Sequence, residues 1–114
     1  MSDEDRLKAL LDEASQRIAQ RVAGLEAQLD ALTRARRSES DDDEHDPEGV
    51  PLSAEWSRLS GLLESARRDA LLAEEAHHRL IDGTYGVCAG CGKLIPVERL
   101  EVRPFADRCV ACAR

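Results

Sequence analysis

Two long stretches of the chain repeat apolar residues at helical spacing, and a third, at the C-terminal end, does not. From Asp3 to about Arg37, the residues Leu7, Leu11, Ala14, Ile18, Val22, Leu25, Leu29 and Leu32 follow one another at steps of three or four. That spacing lines one face of an α-helix. The successive four-residue steps from Ala14 to Ile18 to Val22 break a strict heptad, as a stutter does in a coiled coil. No proline interrupts the run, and a segment of this length predicts a helix of about 50 Å at 1.5 Å per residue. In the second stretch, Leu52, Trp56, Leu59, Leu63, Ala66, Ala70, Ala73, His77 and Leu80 alternate steps of four and three, a heptad seam. Its helix is expected to begin at Ser53 as N-cap, with Glu55 in the first turn. Asp82-Gly83 is expected to end it, with Gly83 in the left-handed conformation that closes helices.

Between the two patterns lies SESDDDEHDPEGVPL, where Asp41, Asp42, Asp43, Glu44, Asp46 and Glu48 crowd around Pro47, Gly49 and Pro51. The expectation is an acidic loop at about 38–52. Neither helix buries its stripe alone, so the simplest arrangement of residues 1–82 is an antiparallel helical hairpin, a coiled coil with an acidic tip. Arg34, Arg36 and Arg37 then close the first helix, where cations suit the negative end of the helix dipole. His77 falls on the seam, with one ring nitrogen expected to reach water.

Composition narrows the fold class to mainly α. Of 114 residues 34% are charged and only 3% aromatic, so the apolar content is mostly Leu and Ala and a thick globular core is not expected. The net charge of −7 disfavours non-specific binding to nucleic acid or anionic lipid. No stretch approaches the roughly 18 consecutive apolar residues of a membrane span. MSDEDRLKALLDEAS has neither the basic start nor the apolar core of a signal peptide, and a cytoplasmic location is expected.

That location changes the reading of the four cysteines. Cys88 and Cys91 form one C-x-x-C pair, Cys109 and Cys112 another, with 17 residues between the pairs. The spacing is that of a four-cysteine zinc site, and a reducing compartment favours metal over disulfides. Iron in a rubredoxin-like site has the same ligand chemistry, and spacing does not separate the two metals. With all four positions filled by protein, the single zinc is expected to be structural rather than catalytic. Gly90 and Gly92 are expected to let the chain turn tightly at the first pair. Residues 83–114 are too few to fold on an apolar core alone. Leu94, Ile95, Val97, Leu100, Val102 and Phe105 are expected to cluster around the metal in a small zinc ribbon.

Residues Gly83–Cys112, GTYGVCAGCGKLIPVERLEVRPFADRCVAC, with the preceding H-R-L-I-D, resemble the DksA/TraR family of C4-type zinc-finger transcription regulators. The order of parts agrees as well, with the helical hairpin first and the finger last. The resemblance implies a partner, RNA polymerase, whose secondary channel admits the hairpin. It also implies a mode of action, in which acidic residues at the tip act near the catalytic magnesium, in several members together with the alarmone ppGpp. The family's tip signature is D-x-x-D-x-A. Asp43 and Asp46 supply its two acids, but Glu48 stands at the alanine position, which implies binding with an altered effect at the active centre. Direct sequence-specific DNA binding and membrane association are not implied.

No nucleophile–base pair, open metal site or phosphate-binding glycine loop is evident, so the reading is non-enzymatic. It is a polymerase-binding regulator of initiation. The alternatives from the residues themselves are a zinc-stabilised coiled-coil adaptor and a zinc-ribbon nucleic-acid binder. In the finger, however, Lys93, Arg99, Arg103, Arg108 and Arg114 are offset by Glu98, Glu101, Asp107 and the thiolates, leaving no clear positive excess.

Overall fold

The computed structural model describes residues 2–42 and 49–113. Among them are three helices, α1 (Asp3–Asp42), α2 (Gly49–Asp82) and α3 (Val97–Val102). α1 starts where the Ser2 hydroxyl accepts the Asp5 backbone N–H at 3.1 Å, with Asp3, Glu4 and Asp5 crowded into the positive first turn.

Helix extends further than the apolar pattern predicts. α1 runs five residues past Arg37, and α2 begins four residues before Ser53, so positions 38–42 and 49–52 of the expected loop are helical. Pro51 is compatible with this because it sits in the first turn of α2, where an N–H would have no partner within the helix. Ser53 is accordingly inside the helix rather than its cap. Arg34, Arg36 and Arg37 do not close α1 either. Its last turn holds no basic residue, and Arg34 pairs with Asp30 one turn back.

The chain divides into two compact units, Ile18–Arg68 and Met1–Arg17 with Asp69–Arg114. In Ile18–Arg68, Leu25 of α1 packs with Leu59, Leu63 and Ala66 of α2, and Val22, Leu29, Leu32 and Leu62 close around them. Glu26 accepts from Arg67 across the two helices at 3.1 Å. In the other unit, Leu11 of α1 and Ala76 of α2 are fully buried with Tyr85, Cys88, Ile95 and Leu100. In both units rising numbers on α1 meet falling numbers on α2, and the helices form an antiparallel hairpin. Described members of the two seams are buried or half-buried with one exception. Trp56 stays 40% exposed, being too wide to be enclosed by a two-helix seam.

No helix among the described residues is long and apolar enough to cross a membrane.

Candidate metal centre

The site is built outward from the end of α2. Gly83 takes φ +80°, Thr84 N–H reaches back to the Arg79 carbonyl at 2.8 Å, and Gly83 N–H reaches Leu80 O at 3.2 Å. This pair of bonds satisfies the last carbonyls of the helix and reverses the chain. The reversal sets Tyr85 beneath the finger. Its hydroxyl donates to Pro104 O at 2.7 Å, and Arg79 Nη2 donates to Phe105 O at 3.2 Å. Two side chains from the helix end thus hold the turn that leads into the second cysteine pair. Burial pushes the Tyr85 phenol up to about 12, with Arg79 acting weakly in the other direction.

Each C-x-x-C pair is a tight turn. In the first, Cys88 N–H donates to Lys93 O at 2.8 Å and Gly92 N–H returns to Cys88 O at 2.9 Å. The Val87–Leu94 bridge flanks this turn and is the extent of strand pairing among the described residues. In the second, Cys112 and Ala113 N–H both reach Cys109 O, at 3.1 and 3.0 Å. Ala89 N–H donates to Asp107 O at 2.8 Å and ties one turn to the other. The two glycines of the first pair serve different ends. Gly92 adopts φ +77°, which favours glycine. Gly90 has no such torsion, but a Cβ there would lie 3.0 Å from both Cβ and Sγ of Cys112.

The outcome is four sulfur atoms within 4.8 Å of one another. Cys91 and Cys109 Sγ are 3.9 Å apart, close to the edge of about 3.8 Å in a tetrahedron with metal–sulfur bonds of about 2.3 Å. The protons are unevenly held. Cys88 Sγ accepts the backbone N–H groups of Cys109 and Gly90, each at 3.3 Å. The Cys109 bond is the larger cause that lowers the Cys88 thiol to about 6. Cys112 is driven up to about 12, chiefly by its side-chain contact with Cys109 and then by the other sulfurs. Four thiolates this close repel one another unless a cation lies among them. A soft, fully occupied, tetrahedral donor set fits one structural zinc ion and leaves no position for water.

The apolar surroundings differ from the predicted cluster in part. Ile95 and Leu100 are buried, whereas Leu94 and Val102 are 79% and 80% exposed. Leu94 points opposite to its extended neighbour Ile95, and Val102 lies two residues, more than half a turn, beyond Leu100 in α3. Ala76, fully buried, was not part of the predicted seam. It lies in the cluster that joins Leu11 of α1 to Tyr85, Cys88, Ile95 and Leu100.

His77 also differs. Its Nε2 lies 3.1 Å from Asp12 Oδ1, and its Nδ1 lies 3.0 Å from Ala73 O and 3.5 Å from Ser15 Oγ. A Ser–His–Asp set is therefore present in name. Nδ1 lies nearer to the Ala73 carbonyl than to Ser15, and 3.5 Å is too long for Ser15 to be activated. The set clamps α1 to α2. Asp43 and Asp46, the predicted tip residues, lie outside the described residues.

Residues 83–114 match the prokaryotic dksA/traR C4-type zinc finger. The finger is of the DksA/TraR family. Ahead of this DksA/TraR-type finger the likeness continues. The RNA polymerase-binding transcription factors DksA of Escherichia coli and Salmonella typhimurium are each 33% identical to the chain over 69 residues. Those matches cover 58% of this chain and 46% of each relative, so the chain spans about half the length of the curated relatives it matches. The structure of transcription factor DksA2 from Pseudomonas aeruginosa superposes with a TM-score of 0.80 at 24% identity, over 96% of this chain and 79% of that one. It shares the hairpin-and-finger fold.

Proposed function

We propose that this chain is an RNA polymerase-binding regulator of transcription initiation, in which Cys88, Cys91, Cys109 and Cys112 ligate one structural zinc. The observation that carries the polymerase reading is the 69-residue match to proteins named for binding that enzyme, which runs beyond the finger. The helical hairpin enters the secondary channel, and Asp43 and Asp46 act at its tip near the catalytic centre. ppGpp modulates the effect. The protein works in the cytoplasm, makes no direct sequence-specific contact with DNA and performs no chemistry of its own. The hairpin supports this reading physically, since a two-helix arm can reach into a channel that a globule cannot enter. The finger supports it by packing against the beginning of α1 and the end of α2.

Co-purification with RNA polymerase, and displacement by a second secondary-channel factor, test the partner and its site. In vitro transcription with and without ppGpp, using the wild type beside an Asp43→Asn/Asp46→Asn variant, tests the tip. Binding retained with the regulatory effect lost is the expected outcome. Equal regulation by both proteins removes the tip from the mechanism.

A further inference from the structure

The four sulfurs of the finger are not equivalent. Cys88 is buried at 2% exposure and accepts two backbone N–H groups; Cys109 and Cys112 are half-buried; Cys91 alone is exposed. Cys112 is further screened by Gly90, whose backbone passes so close that a Cβ would meet its sulfur at 3.0 Å. Cys91 Sγ sits among the other three sulfurs, that of Cys109 at 3.9 Å, and among the described residues it accepts no backbone N–H. An N–H···S bond withdraws electron density from a thiolate, and cover by the chain blocks approach. Cys88 is protected on both counts and Cys91 on neither.

From this asymmetry, and resting on the zinc-ligand reading above, we infer that Cys91 is the labile ligand of the zinc site, the one at which metal exchange and electrophilic attack begin. When an electrophile such as iodoacetamide attacks, the Cys91 sulfur lone pair forms the S–C bond and iodide leaves with the C–I electrons. The resulting thioether is neutral and a poor zinc ligand. Cys88, Cys109 and Cys112 would be left as the three sulfurs able to hold the ion. The remaining ligands stay in place at first, because Cys88 is anchored in the apolar cluster with Leu11, Ala76 and Leu100. Cys88, buried and hydrogen-bonded to two backbone N–H groups, would be the last of the four to lose its hold on the ion.

The test uses the full-length, zinc-loaded protein and limiting iodoacetamide, with peptide mapping by mass spectrometry and zinc release followed by a colorimetric chelator. The first label is expected on Cys91, ahead of Cys88 by about tenfold or more in rate, with zinc release tracking that label. A Gly90→Ala variant gives a second readout. It is expected to disturb Cys112 and to raise labelling there, leaving Cys91 still the first site at lower reagent. Zinc-loaded protein labelled first at Cys88, or equally at all four sulfurs, overturns the inference while leaving the ligand assignment intact. Protein purified under reducing conditions with no bound metal overturns both.

Discussion

Ile18–Arg68 and Met1–Arg17 with Asp69–Arg114 bury apolar surface by opposite means. In the first, eight aliphatic side chains from two helices repeat one contact, and no residue is unique. In the second, each helix contributes little, and the rest comes from irregular chain fixed by single features: a glycine turn, a phenol, a guanidinium and four sulfurs. A repeated contact spreads its stabilisation, so a loss at one position is shared by its neighbours. A set of single features concentrates it. Residues 83–113 have too little apolar surface to stay ordered without their cross-link.

Removing zinc should therefore have the largest effect and should separate the two units. Structural zinc contributes apparent binding free energies of about 10–16 kcal/mol, more than so small a finger could supply otherwise. The chain offers a probe on each side, since Trp56 is its only tryptophan and Tyr85 its only tyrosine. Chelation is expected to abolish amide protection through Cys88–Ala113 and to shift the Tyr85 signal. Trp56 emission and most of the far-UV helical signal should remain. Retained protection in the finger after complete metal removal would erase the contrast.

A smaller change sharpens it. Leu100 and Leu63 are both buried leucines, one in each unit, and truncating either to Ala should cost about 2–5 kcal/mol. The costs should differ in kind. Leu100 packs in the same cluster as Cys88, so Leu100→Ala should also weaken zinc binding. Leu63→Ala should leave zinc binding as it is. Zinc titration of both variants checks this, and equal affinity losses would mean that the two clusters are coupled.

How much of this was legible from the sequence follows the same division. Periodicity gave the seams because each seam residue repeats its neighbour's role, and cysteine spacing pointed to the cluster of four sulfurs because two short C-x-x-C turns each bring a pair of thiols together. Helix ends were less visible. Ser, Glu and Asp at 38–42 read as loop by composition, yet an established helix propagates through them at little cost per residue. Pro51 read as a breaker, though a first-turn proline breaks nothing. The burial of Ala76 and the partners of Tyr85 and Arg79 depend on which surface the finger covers. No local pattern states that. Leu94 and Val102 were drawn into the core by hydrophobicity alone, and direction along the backbone placed them outside.

Tyr85 tests whether a single polar bond matters beside the metal. Tyr85→Phe removes the bond to Pro104 O and leaves that carbonyl short of one partner, a loss of about 1 kcal/mol. Alkaline titration reads the same environment. Burial raises the phenol to about 12 from a usual value of about 10, so the neutral form is favoured in the folded protein. That preference is fully present below about pH 10 and is lost as pH rises toward about 12. Absorbance at the phenolate band, from this one tyrosine, should show the raised midpoint. An ordinary midpoint in zinc-loaded protein would place the phenol in water.

The smallest effect is expected for the ion pair that crosses the helices in Ile18–Arg68. Arg67 and Glu26 are close at 3.1 Å, but their side chains are 58% and 51% exposed. Water screens such a pair, and holding two long side chains in one geometry costs rotamer entropy, so exposed pairs contribute about 0.2–1 kcal/mol. Glu26→Gln should lower stability by no more than that, with the difference shrinking further in high salt. Its counterpart in the other unit is the Asp12–His77 clamp, whose histidine is 36% exposed and which carries a second bond to Ala73 O. Asp12→Asn should cost more than Glu26→Gln, because it strips a partner from a half-buried ring nitrogen rather than from a solvated guanidinium. Denaturant midpoints of the two variants, measured with zinc bound, rank them. Should Glu26→Gln prove the costlier, the repeating seam depends on a single contact after all, and concentration of stabilisation is not what distinguishes the two regions.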